Sequence, residues 1–106
     1  MTRTLVVDSE AYEEAEAQTR YYAERAGEIV SLRFVAEIEA IFSGLIENRF
    51  VGVNHPRVRS RFPIKRVSLD RFPFAVVFYV ESDVITVVAI EALKKRPGYW
   101  RTRLPR

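Results

Sequence analysis

The 106-residue chain has no cysteine, one histidine, one tryptophan, one methionine and four glycines. Without cysteine there is no disulfide framework, and most zinc sites lose their thiolate ligands. The lone imidazole, His55, leaves no histidine cluster for a metal and no plausible base beside a serine nucleophile. Glycine-rich phosphate loops are missing too. The longest apolar run, Ala75 to Val80 (AVVFYV), falls far short of the roughly 18 residues that span a bilayer. The opening MTRTLVVDSE lacks the apolar stretch and small-residue cleavage site of a secretory signal. These absences predict a cytoplasmic protein with no metal, no cofactor and no membrane contact. Neither half is long enough to bury a core of its own, so one domain over residues 1–106 is expected.

What the chain does have is charge, unevenly spread. Residues 1–47 hold ten acids and four bases, a balance of −6, whereas residues 48–106 hold thirteen bases and four acids, a balance of +9; the sum is the formal +3. Such asymmetry points to an acidic or polyanionic partner for the basic half. The competing reading is that the two halves attract each other inside one fold.

The segment TRTLVV reads as a short strand stopped by Asp8 and Ser9, both good N-caps. Tyr12, Ala15, Thr19, Tyr22 and Ala26 then recur at helical spacing, and Gly27 is the expected stop. A second helix follows from Glu28 to Glu47, with Phe34, Ile38, Ile41, Phe42 and Leu45 on one face. So short a break predicts an antiparallel helix hairpin, with Tyr12 and Tyr22 covering the second helix. Gly44 inside that helix costs about 1 kcal/mol relative to alanine.

Beyond residue 63 the pattern turns to sheet. Lys65–Leu69 points Val67 and Leu69 inward and Arg66 and Ser68 outward. Phe74–Glu81 and Val84–Leu93 are rich in β-branched and aromatic residues and are separated only by Ser82-Asp83, which predicts a tight hairpin. Both strands are apolar at nearly every position, so both faces of the sheet should be covered. The expected fold is α+β: a strand, a helix hairpin, then a mainly antiparallel sheet of three further strands.

Candidate binding residues lie in two basic segments. Arg57, Arg59 and Arg61 alternate through the loop NRFVGVNHPRVRSRFP, where an extended backbone would aim three guanidinium groups one way. A spaced arginine row is equally a common solvated loop. The ending KKRPGYWRTRLPR contributes Lys94, Lys95, Arg96, Tyr99, Trp100, Arg101 and Arg103, and Arg66 completes the set. Interleaved cations and rings suit a nucleic acid or an acidic, partly disordered protein. Trp100 could instead plug the edge of the core. His55 reads as a loop residue rather than a general base, and acid pairs such as Glu13-Glu14 read as a solvated helix face.

The order of features resembles the RelE/ParE superfamily of bacterial toxins from type II toxin–antitoxin modules. The likeness rests on the helix pair carrying Tyr21-Tyr22 and RFVAEIEAIF, then FPFAVVFYV, DVITVVAI and KKRPGYW in order. It is closest to the ParE-like, plasmid-stabilisation branch. The resemblance implies growth inhibition, a small cognate antitoxin with an acidic segment, and one of two targets: DNA gyrase for ParE-like members, or messenger RNA on the ribosome for RelE-like ribonucleases. A ribonuclease of this kind would use Arg66, Arg71, Lys95 and Tyr99. Its pattern, however, wants basic residues where this chain has Ala75, Ser68 and Leu93, which would remove charge stabilisation from the transition state. Many ParE-like relatives carry a histidine where Ala92 stands, and Lys94-Lys95 replace their arginine pair. The chain is therefore expected to be a non-catalytic ParE-like toxin; a RelE-like endoribonuclease and an inactive toxin fold that only binds antitoxin are the alternatives.

Overall fold

Asp8 turns the first strand, β1 (Thr4–Val7), into the first helix, α1 (Ser9–Ala26), its carboxylate accepting the Glu10 N–H at 2.9 Å. This computed structural model describes residues 3–50, 52–55, 60–95 and 98–105. Gly27, at φ 97°, ends α1 and starts α2 (Glu28–Ile46) in one residue, so the helices fold back as the expected hairpin. Tyr22 packs on Phe34 of α2 and on Phe72, with ring centroids 5.2 and 5.0 Å apart. Tyr12 does not join it and is 58% exposed. The buried stripe of α1 runs through Ala11, Ala15 and Tyr22, one position off the predicted start, so Tyr12 falls on the solvent side.

The remaining elements are β2 (Val53–Asn54), β3 (Lys65–Ser68), β4 (Phe74–Glu81) and β5 (Val84–Ala92). They join β1 in one sheet of order β1-β5-β4-β3-β2, parallel only between β1 and β5. Ser82-Asp83 makes the tight β4–β5 turn, with Ser82 at φ 55°. The two-residue β2, paired with Lys65 and Arg66, was not anticipated. Hemmed in by Gly52 and His55, it is too short to carry an alternation that could be read.

Both faces of the sheet are covered. Phe34, Ile38, Ile41 and Leu45 of α2 pack against Val76, Phe78, Ile85, Val87 and Ile90 on one face. On the other, Val77, Tyr79, Val88 and Ala89 meet Ile64 and Trp100, with Phe62 and Leu104 alongside. A β-bulge decides which residues go where. Val77 pairs with Ala89 and Phe78 with Val87, leaving Val88 as the extra residue. Strict alternation from Ile85 would have turned Ile90 away from the helices and aimed Glu91 into their core. The bulge reverses this and sends Glu91 to the opposite face.

Gly44 has a packing reason that offsets its helix cost. A Cβ there would collide with the Phe50 ring, so the missing side chain is the bed on which Phe50 lies. Among the described residues, no helix is long and apolar enough to cross a membrane.

Candidate functional site

Glu91 is a lone acid in an apolar strand and is 2% exposed. Burying a carboxylate is tolerated only with full hydrogen bonding. Its Oε1 accepts from Trp100 Nε1 at 3.0 Å and from the Gly98 N–H at 3.4 Å. His55 Nε2 lies 3.2 and 3.1 Å from its two oxygens. Arg66, reaching across from β3, brings a guanidinium nitrogen to 3.9 Å. The Trp100 and His55 rings meet edge to face, 5.1 Å between centroids. One carboxylate thereby ties the strand bearing it to β2's flank and to the C-terminal segment.

A second carboxylate holds that segment from the helix side. β1 pairs with β5 only from Val84 to Val87, so the next stretch of the β5 edge needs other partners. Side chains supply them. Glu14 Oε1 accepts the Ile90 N–H at 3.1 Å, Arg103 donates to the Val88 carbonyl at 3.0 Å, and the Tyr99 hydroxyl lies 3.5 Å from the Ile90 carbonyl. Arg103 also grips Glu14 with two nitrogens, at 3.1 and 3.3 Å, and its Nε meets Glu10 at 3.0 Å. The Tyr99 hydroxyl donates to Glu14 Oε2 at 2.5 Å. Lys95 and Arg103 lie over the Tyr99 ring, 5.6 and 5.4 Å from its centroid. Burial, then the hydrogen bond and charge of Glu14, push the Tyr99 phenol far above the ordinary tyrosine range. Burial works against the Arg103 charge, but Glu14 and Glu10 outweigh it and raise the guanidinium's pKa.

The sequence-predicted residues therefore divide. Trp100, expected as a surface contact or as a core plug, is the plug: it is fully enclosed and not available to a partner. Arg103 is 10% exposed and its charge is spent on Glu10 and Glu14, because the short 3₁₀ turn Arg101–Arg103 folds it back under α1. His55 is not an ordinary loop residue but a buried member of the Glu91 cluster. Arg57, Arg59 and Arg96 lie outside the described residues. Exposed cations remain at Arg61, Arg71, Lys94, Lys95 and Arg101. Leu93 N–H donates to the Pro73 carbonyl, so the turns bearing Arg71 and Lys94-Lys95 lie side by side at one end of the sheet. Arg61 sits apart, over the Phe62 ring, which itself stacks on Tyr79.

The positions that a RelE-type ribonuclease would furnish are also visible. Ser68, Ala75 and Glu91 are consecutive cross-strand partners, in one row on the face away from the helices. Ala75 is completely buried, Ser68 is exposed and Leu93 is 46% exposed. The row thus offers a methyl, a hydroxyl and a carboxylate already bonded to Trp100, and no cation. Arg66 and Tyr99 are both present but separated in role: one faces Glu91, the other donates its hydroxyl to Glu14. Among the described residues, no group of three or more His, Asp or Glu side chains is placed to hold a metal ion.

Glu91 and Glu14 were the residues that sequence reasoning passed over. The clue for Glu91 was an acid within VITVVAIEA, a strand buried on both faces, where any charge must have a partner.

A solved structure described as the chromosomal ParDE TA system from P. aeruginosa has the same fold, with a TM-score of 0.72 and 21% identity over 88% of this chain and 98% of that one. No curated protein sequence matches the chain. The family profile described as the ParE toxin of the type II toxin–antitoxin system parDE matches residues 5–97. With nearly the whole chain matched and the fold agreeing with it, this protein belongs to the ParE toxin family.

Proposed function

We propose that the chain inhibits growth by binding a macromolecular target, DNA gyrase being the one implied by its branch, and that it does so without catalysis. The observation that carries this reading is the separation of the cations. Lys94, Lys95, Arg101 and Arg71 are exposed, whereas the positions that a ribonuclease would furnish with bases hold Ser68, buried Ala75 and Leu93, with the engaged Glu91 paired beside Ala75. Tyr99 adds to it, since a phenol held protonated against a carboxylate is a poor general base. Exposed cations on a rigid sheet end favour docking and fast encounter with an acidic surface.

A small cognate antitoxin is the proposed restraint. An acidic segment that orders on binding would neutralise the same cations, and its proteolysis in the unbound state would release the toxin. The test pairs two purified systems. Added to a gyrase supercoiling reaction, the protein is expected to inhibit in a dose-dependent way; added to translating ribosomes, it is expected to leave messenger RNA intact. Messenger cuts within codons would replace this reading with the RelE-like one. A chain that neither arrests growth on induction nor inhibits gyrase would be an inactive toxin fold.

A further inference from the structure

Glu14 is surrounded like a bound ligand. Four donors converge on its two oxygens: the Ile90 N–H, the Tyr99 hydroxyl and two guanidinium nitrogens of Arg103. A backbone N–H, a phenol and an arginine fork are the donor types that hold phosphate and carboxylate oxygens in anion sites. We propose that this cradle is an anion-binding site, with the Glu14 carboxylate as its resident occupant, and that a phosphate group can take its place.

Ile90 N–H and Arg103 are held in place by partners other than Glu14. Ile90 N–H belongs to β5, which is held at that position by its pairing with Val76 of β4. The Arg103 side chain is 10% exposed and is separately anchored on the Val88 carbonyl and on Glu10. The Glu14 side chain is 23% exposed and stands on α1, whose backbone need not move for a glutamate to change rotamer. It also lines a groove of about 200 Å³ together with Gln18, Phe74, Ile90, Lys95 and Tyr99, which gives an incoming group a path to the Ile90 and Tyr99 donors. Lys95 stands in that groove with no carboxylate within ion-pair distance among the described residues. With Glu14 swung out, Arg103 and Lys95 are opposed at the site by Glu10, with Glu91 acting on Tyr99 from further off, so an incoming phosphate oxygen meets the single positive charge that Glu14 had neutralised. Glu14 and phosphate therefore compete for one set of donors. The affinity of the wild type for phosphate is lowered by the small fraction of molecules in which Glu14 is out.

The experiment is a titration with inorganic phosphate at constant ionic strength, chloride replacing phosphate in the control, followed by calorimetry and by the Ile90 amide resonance. Glu14→Ala is expected to bind about tenfold or more tightly than wild type, since the internal competitor is gone. Glu14→Ala/Arg103→Ala is expected to lose the binding and the Ile90 shift. The Trp100 indole N–H signal reports whether the C-terminal segment is still seated. Where Glu14→Ala unseats it, Glu14→Gln is read instead; it keeps an acceptor for Tyr99 and Ile90 and should still bind more tightly than wild type. Equal affinity in wild type and the seated Glu14 variant would overturn the proposal. So would phosphate binding that survives the loss of Arg103, which would reduce it to general attraction by the basic tail.

Discussion

The Trp100 indole donates to Glu91 at 3.0 Å with both side chains withdrawn from solvent, so a polar bond sits inside the cluster that covers the outer face of the sheet. It explains how a basic, proline-containing ending stays on the fold: one enclosed ring and one buried carboxylate hold it. Removing the acceptor takes the carboxylate away from Trp100 Nε1–H and the Gly98 N–H and breaks the His55 contact with it. Glu91→Ala is expected to destabilise the protein by about 3 kcal/mol, the cost of breaking a buried, hydrogen-bonded charge. Urea unfolding measures it, and a loss under about 1 kcal/mol would mean that water replaces the carboxylate.

Trp100→Phe separates packing from the bond. Most of the ring's contact area stays while Glu91 loses its indole donor, so a cost of about 1–2 kcal/mol is expected. Trp100→Ala adds a cavity and should cost about 3–5 kcal/mol. Equal losses in the two variants would assign the whole effect to the hydrogen bond.

Gly44 and Phe50 should be coupled. Alanine in the α2 interior is favourable by about 1 kcal/mol, but at Gly44 its Cβ collides with the Phe50 ring. In the wild type, Gly44→Ala is therefore expected to be neutral or destabilising. In a Phe50→Ala background it should stabilise by about 1 kcal/mol. Thermal unfolding of the four proteins closes the cycle, and additivity would refute the coupling.

Tyr99 predicts a pH dependence. Its folded pKa is raised above the unfolded value, so the protonated phenol stabilises the fold fully below about pH 10. That contribution fades as pH climbs through the folded value, because the unfolded chain can ionise and the folded one resists. Stability of the wild type should fall more steeply above pH 10 than that of Tyr99→Phe, measured by denaturant unfolding from pH 8 to 11. Parallel profiles would mean that neither burial nor the Glu14 contact holds the proton on Tyr99.

Hydrophobic spacing and turn residues carried most of the architecture. Asp8, Gly27 and Ser82-Asp83 mark the element boundaries where they occur, because capping and tight turns are local chemistry. Tyr22 follows from the same periodicity, while Tyr12 shows its limit: a stripe one residue wide can be drawn on either of two neighbouring positions. The site was less legible, for a physical reason. Glu91 faces Trp100 because Val88 is an extra residue, and a bulge arises from cross-strand pairing that local spacing does not encode. Glu14 reads as a solvated acid until the chain returns 85 residues later with Tyr99 and 89 residues later with Arg103. Cations counted as a surface from composition were in part already neutralised by such distant acids.

What remains outside is the claim on which the functional account turns. Lys94, Lys95 and Arg101 are exposed and none is paired with a carboxylate among the described residues, so reversing their charge should leave the fold intact. The decisive measurement is growth after induction of the wild type and of Lys94→Glu/Lys95→Glu/Arg101→Glu, with circular dichroism of the purified variant as the check on folding. Arrest by the wild type and continued growth with a folded variant is the predicted result. Arrest of equal strength by both would contradict it, and would locate the toxic surface elsewhere on the molecule.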